Sequence, residues 1–210
     1  MTALKTDRAL VFDFGRVVFR WRPEVVVAAT LPHRAGDDAA TKHWTSQIFQ
    51  AYEGDWQHFD RGTVEPPELA RRIAARTGLT EDEVHAVIAA CPAELEPLPD
   101  TVAWLRRLHA RGTPLHFLSN MPEPFALHFE RTHDFMELFE SGVFSSRARM
   151  VKPEPELFAH AAQVFGRVPE ALLLIDDHLP NIVAARAAGW QGVHFVDAAQ
   201  AQGEVEALGW

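Results

Sequence analysis

The sequence is poor in cysteine. Cys91 stands alone among 210 residues, so no internal disulfide can form. That excludes a small secreted module held by bridges and favours a reducing compartment, with the cytoplasm as the default. Positive charge is also scarce, with 20 Lys plus Arg against 29 Asp plus Glu and a formal net charge of −9. An acidic chain of this kind is a poor partner for nucleic acid or an anionic membrane. No apolar run approaches the ~18 residues needed to cross a bilayer. Residues 1–8 are polar and pass straight into an apolar run, which is not the pattern of a signal peptide. The eleven histidines contain no His-Glu-x-x-His spacing, which argues against a zinc site. No glycine-rich nucleotide loop occurs either, since Phe14-Gly15 offers a lone glycine after a strand.

The hydrophobic fraction of 47% and the charged fraction of 23% are those of an ordinary globular protein. The length suits one or two domains with a sizeable core. Short apolar runs bounded by turn residues predict buried strands at 9–12, 115–118, 172–175 and 192–196, with a weaker one at 142–145. Helical spacing lies between them. Val102, Leu105 and Leu108 precede a capping Gly112, while Leu157, Phe158, Ala161, Ala162 and Phe165 form a second stripe. Ile182, Ala185 and Ala188, closed by Gly189, form a third. Strands alternating with helices predict an α/β fold, a Rossmann-like parallel sheet with helices on both faces.

The alternation breaks after the first strand. Residues 17–97 show no clear strand, and helical periodicity predicts helices at 40–52, 68–77 and 81–90. Thr80-Glu81-Asp82-Glu83 reads as a capping box, and Cys91-Pro92 to Pro97-Leu98-Pro99 as a return hinge. The expected organisation is a discontinuous core, 1–16 and 98–210, carrying an all-helical insert over 17–97.

Four segments fall at or just beyond the C-terminal ends of predicted strands, the edge where open α/β sheets bind ligands. They are Phe12-Asp13-Phe14-Gly15, Leu118-Ser119-Asn120, Val151-Lys152-Pro153 and Ile175-Asp176-Asp177. Singly, each has a plain explanation. Asp or Ser can cap the next helix, a lone lysine can sit in a surface turn, and paired aspartates can answer a helix dipole. Together they make chemical sense. Adjacent Asp176 and Asp177, with Asp13 opposite, offer hard oxygens suited to Mg²⁺. A metal and Lys152 would hold a phosphate dianion, Ser119 would complete the cradle, and Asp13 is the natural nucleophile. Positioning and charge neutralisation supply most of the acceleration in such a transfer.

These segments, in this order, resemble a haloacid dehalogenase-like (HAD) hydrolase with a small helical cap inserted after the first strand. The resemblance rests on Phe12-Asp13-Phe14-Gly15-Arg16-Val17-Val18, Leu118-Ser119-Asn120, Lys152-Pro153-Glu154 and Asp176-Asp177-His178-Leu179-Pro180-Asn181. Trp56-Gln57-His58-Phe59-Asp60-Arg61-Gly62 adds a similarity to the branch that includes α-D-glucose-1-phosphate phosphatase. The resemblance implies Asp13 as nucleophile and metal ligand, Ser119 as phosphate donor and Lys152 as neutralising cation. It implies Asp177 as a Mg²⁺ ligand, with Asp176 a further one, directly or through water, and the Gly15 carbonyl another. Asn120 is expected at the substrate through its backbone N–H and its side chain.

One departure matters. Most phosphatases of the superfamily carry a second aspartate two residues after the nucleophile, as general acid and base, and here that position is Gly15. A missing general acid costs ~10²–10⁴-fold. His178 or a cap histidine is the replacement considered from sequence. The cap candidates for substrate contact are Trp56, His58 and Arg61. Against them stand cap-core packing for Trp56 and a simple ion pair for Arg61. Cys91 reads as a small buried apolar residue, and Tyr52 as core. The expected partner is a small phosphorylated metabolite, such as a sugar phosphate. Two other readings stay open: a metal-independent 2-haloacid dehalogenase, and a weakly active binding protein on the same scaffold.

Overall fold

The computed structural model describes residues 4, 5 and 7–210; the rest of the polar 1–8 segment lies outside the described residues. Five strands form one parallel sheet in the order β3-β2-β1-β4-β5. The first strand, β1 (Ala9–Phe12), is buried along its whole length at the centre of the sheet. Its alternate residues face two different cores. Leu10 and Phe12 join one apolar cluster, Ala9 and Val11 the other, as the two-residue period of a strand requires.

Five helices follow: α1 (Pro23–Thr30), α2 (Asp38–Phe49), α3 (Gly54–Asp60), α4 (Pro66–Thr77) and α5 (Glu81–Glu94). The predicted capping box is present, with Thr80 accepting from the Glu83 N–H and Glu83 accepting from the Thr80 N–H. Two boundaries differ from expectation. The helix predicted to reach residue 52 stops at Phe49, because Gln50, Ala51 and Tyr52 all adopt left-handed φ. The helix predicted to end at 90 runs on through Cys91 and Pro92 to Glu94. Pro92 falls in its last turn, so the hinge starts only at Leu95.

The two connections to the insert are stitched together. The Arg20 N–H donates to the Glu96 carbonyl at 2.8 Å, and the Leu98 N–H to the Val18 carbonyl at 2.8 Å. The buried Glu94 carboxylate accepts from Arg22 at 2.6 Å and from Arg20 at 3.2 Å, and these guanidinium groups hold its pKa below the usual range. The insert and one face of the sheet share a continuous apolar cluster, from Leu69 and Val84 through Phe59 and Phe19 to Leu10.

The remainder alternates as predicted: α6 (Pro99–Ala110), β2 (Leu115–Ser119), α7 (Glu123–Thr132), β3 (Ser141–Phe144), the short α8 (Ser145–Ala148) and α9 (Pro155–Phe165). Then come β4 (Leu172–Asp176), α10 (Leu179–Ala187), β5 (Gln191–His194) and α11 (Ala198–Ala207). The weak strand prediction near 142–145 is correct within a residue. The strand predicted to reach 196 ends at His194, leaving Val196 exposed. No helix is long and apolar enough to cross a membrane among the described residues.

Candidate active site

Register carries the site. Phe12 pairs with Phe117 on one side and Ile175 on the other, so Asp13, Ser119 and Asp176 emerge together at one edge. The Asp13 N–H donates to the Ile175 carbonyl at 2.9 Å, which prolongs the ladder by one residue. Beyond it the chain wraps tightly, and the Phe14 carbonyl accepts from Val18 and Phe19. This turn presents the Asp13 carboxylate next to the Phe14 N–H, which donates to Oδ1 at 2.7 Å.

Lys152 reaches this edge from the loop before α9. Its Nζ lies 2.9 Å from Asp13 Oδ1 and 2.6 Å from Asp176 Oδ2, with its side chain 1% exposed. Burial alone would lower this ammonium, but the two carboxylates outweigh it and raise its pKa. Burial pushes the Asp13 carboxyl up to about 7; Lys152 opposes this, and Asp176 and Asp177 add to it. Asp176 is fully engaged. Besides Lys152 it accepts from the His178 N–H at 2.8 Å and from the Asn181 amide at 3.0 and 3.1 Å. Asp177 is freer, partly exposed, with Arg16 at 3.9 Å. Asp13, Asp176 and Asp177 each bring an oxygen within 4.8 Å of the other two. Three hard oxygens in one buried cluster fit a divalent cation such as Mg²⁺.

Ser119 is 1% exposed, and its Oγ has no hydrogen-bond partner among the described residues. A buried hydroxyl left unsatisfied at the strand edge that also carries Asp13 and Asp176 is a donor without its acceptor. At Gly15, a built Cβ would meet nothing within 4 Å, so no neighbour requires glycine there.

The other predicted residues are arranged differently. The Asn120 side chain is occupied, donating to the Lys152 carbonyl at 3.0 Å and accepting from the Lys152 N–H at 2.8 Å. It therefore positions the lysine loop, and only the Asn120 backbone stays open to a substrate role. Trp56 is buried, its ring packed against those of Phe49 and Phe59. His58 lies on the solvent side of α3, with Nδ1 3.4 Å from Thr63 Oγ1. Arg61 makes a two-pronged pair with Glu154, at 2.8 and 2.5 Å, so its guanidinium is committed to the core. His178 is exposed, and its described contact with the site is through its backbone N–H. Tyr52, expected in the core, is exposed in the left-handed turn, its hydroxyl 2.6 Å from Trp21 Nε1.

Sequence reasoning passed over Asp60. It shares the inner face of α3 with Trp56 and Phe59 and is 5% exposed. Burial pushes its carboxyl up to about 8, and Asp13 adds to the shift. The segment around it is fastened to the core, with Ser145 Oγ donating to the Asp60 carbonyl at 2.5 Å while accepting from the Met121 N–H. Gly62 completes the fastening. Its φ is +71°, and a Cβ there would stand 2.6 Å from the Ser146 carbonyl oxygen. Gly62→Ala is therefore expected to destabilise the protein by about 1–3 kcal/mol, read as a lower Tm, whereas Gly78→Ala, equally left-handed but unobstructed, should cost less.

The model of the haloacid dehalogenase-like hydrolase family matches residues 8–189. The chain belongs to that family. It is similar to the sesquiterpene phosphatase astK of Aspergillus oryzae, 28% identical over 193 residues that span 91% of each protein. Among solved structures, a HAD family enzyme of Bacteroides thetaiotaomicron in complex with magnesium and inorganic phosphate superposes with a TM-score of 0.68. It is 21% identical, covering 89% of this chain and 93% of that one. The L-2-haloacid dehalogenase of Xanthobacter autotrophicus superposes with a TM-score of 0.64 at 19% identity, covering 89% and 76%. Both structural likenesses establish the shared HAD fold. The chain is thus a HAD-like hydrolase whose curated relatives are phosphatases, the phosphoric monoester hydrolase class to which its motifs point.

Proposed function

We propose that the protein is a Mg²⁺-dependent phosphatase of small phosphomonoesters that works through an aspartyl-phosphate on Asp13. The observation that carries this reading is the convergence of Asp13, Lys152 and the unpartnered Ser119 hydroxyl beside Asp176 and Asp177. Asp13 attacks phosphorus, and its bond to Lys152 aims the carboxylate and balances its charge. Ser119 Oγ donates to a phosphoryl oxygen, and the Asn120 N–H adds a second donor. Asp13, Asp177 and the Gly15 carbonyl are the residues that would hold Mg²⁺. Asp176, with its oxygens already taken by Lys152, His178 and Asn181, orients the group or serves it through water. When bound, the cation neutralises charge on the transferring phosphoryl group.

In this reading residues 17–97 form the cap that covers the site and 1–16 with 98–210 the catalytic core. A cap fastened at Ser145 and Glu154 supports small metabolites such as sugar phosphates over phosphoproteins. The motif resemblance to the α-D-glucose-1-phosphate phosphatase branch supports the same class. A second substrate reading is a phosphorylated apolar alcohol. The relative astK favours it, as does the pairing of the half-buried Trp21 with the exposed Tyr52. A single reduced thiol, Cys91, buried and pushed up by that burial, suits a cytoplasmic setting.

The test is turnover of p-nitrophenyl phosphate and of a panel of sugar and prenyl phosphates, with Mg²⁺ and with EDTA. Activity is expected with Mg²⁺ and its loss with EDTA. Release of halide from 2-chloropropionate that EDTA leaves untouched would establish the dehalogenase reading instead. Inertness towards every ester, and towards the mixed anhydride acetyl phosphate, would leave a binding protein.

A further inference from the structure

A phosphatase of this kind must hand a proton to its departing alcohol, and position 15 carries no side chain to do so. The exposed His178 and the outward His58 do not fill the gap. We propose that Asp60, on the cap, is the acid that protonates the leaving oxygen; the assignment rests on the phosphatase reading above.

Three observations carry it. The Asp60 side chain is buried, yet its carboxyl has no hydrogen-bond partner and no paired cation among the described residues. A lone buried carboxylate is costly, so the group is held as the neutral acid, a donor with nothing to donate to. Its location is the second. Asp60 lies on the buried face of α3 with Trp56 and Phe59, where that helix abuts Ser145 and the loop after Ser119, and Asp13 is the charged group that raises its pKa further. The third is rigidity. The Asp60 carbonyl is tied to Ser145 Oγ, which in turn holds the Met121 N–H two residues beyond Ser119. The neighbouring Arg61 is pinned to Glu154, two residues beyond Lys152. The acid is thus mounted on the two loops that carry the phosphate donors.

The protons balance. In the first step an Asp13 oxygen bonds to phosphorus, the phosphorus–alkoxy bond breaks, and the Asp60 proton goes to the leaving oxygen to give a neutral alcohol. Asp60 is left as a carboxylate. In the second step water bonds to phosphorus, the phosphorus–Asp13 bond breaks, and the water proton returns to Asp60. The net change is ester plus water to alcohol plus inorganic phosphate.

The experiment compares wild type with Asp60→Asn on p-nitrophenyl phosphate, whose leaving group needs little protonation, and on phenyl phosphate, whose leaving group needs more. The quantity kcat/KM reports the chain of steps through the first transfer. It is expected to fall ~10²–10⁴-fold on phenyl phosphate and less than about tenfold on p-nitrophenyl phosphate. With p-nitrophenyl phosphate, kcat should also fall, and a burst of p-nitrophenol should appear as the phospho-enzyme accumulates. The Tm of the variant should stay close to that of wild type, because one neutral buried polar group replaces another of the same shape. Equal losses on both esters, or none on either, would overturn the assignment while leaving the phosphatase reading intact. A wild type inert on both esters with Mg²⁺ would overturn that reading, and this assignment with it.

Discussion

Asp13→Asn is expected to lower phosphatase turnover by ~10³-fold or more while leaving the fold as stable as wild type. The amide has no negative charge and is too weak a nucleophile to displace an alkoxide. It keeps the shape of the carboxylate, and its oxygen can still accept from the Phe14 N–H, now at 2.7 Å. What disappears is the pair with Lys152, which keeps Asp176 as its partner at 2.6 Å. Stability has little to lose. Burial already opposes ionisation of Asp13, and Asp176 and Asp177 oppose it further. Replacing a crowded carboxylate with a neutral isostere therefore removes repulsion as well as attraction. The measurement is steady-state hydrolysis of p-nitrophenyl phosphate with Mg²⁺ beside a thermal melt of the same sample. Retention of full turnover would mean that another group attacks phosphorus.

Much of this arrangement was legible in the sequence because it is local. The apolar run before Asp13, the Leu118-Ser119 and Ile175-Asp176 strand ends and the Thr80–Glu83 capping box each declare themselves within a few residues. A parallel sheet then brings the strand ends to a common edge whatever lies between them. What the sequence did not reveal is tertiary in origin. Asn120 reads as a substrate contact until Lys152, 32 residues away, occupies both ends of its amide. Arg61 reads as a cap residue aimed at substrate until Glu154 is seen to take both its prongs. Asp60 is the instructive case. Counting from Trp56, Phe59 and Asp60 fall at i+3 and i+4 and share its inward face, whereas His58 at i+2 points away. Helix phase alone therefore favoured Asp60 over His58. The missing knowledge was that α3 starts at Gly54, after a left-handed turn that ends the preceding helix early.

Phe14→Ala is expected to cost about 3–5 kcal/mol of stability, the range for emptying a fully buried aromatic site. Phe14 is 0% exposed, and its ring meets those of Phe19, Phe117, Phe129, Phe139 and Phe144 at centroid separations of 4.7 to 6.1 Å. These rings come from the post-strand turn, β2, α7, the connection before β3 and β3 itself, so collapse onto the vacancy would need several elements to move at once. For a chain of this length the loss corresponds to a fall in Tm on the order of 10 °C. Phe14→Leu, which keeps most of the volume, should cost less than half as much. The effect should also reach the chemistry. Phe14 directly follows the proposed nucleophile, its N–H donates to the Asp13 carboxylate, and its carbonyl gathers the Val18 and Phe19 N–H groups that close the turn. With the ring gone, that turn loses its anchor, and the 2.9 Å contact between Asp13 and Lys152 is held only by its own electrostatics. Turnover in Phe14→Ala should therefore fall even at temperatures where the variant is fully folded, because misplacing an attacking atom is costly in a reaction driven by alignment. Calorimetry on both variants, paired with initial rates measured well below each Tm, separates the two effects. A normal Tm for Phe14→Ala would mean that this aromatic cluster does not tie the turn after β1 to the sheet.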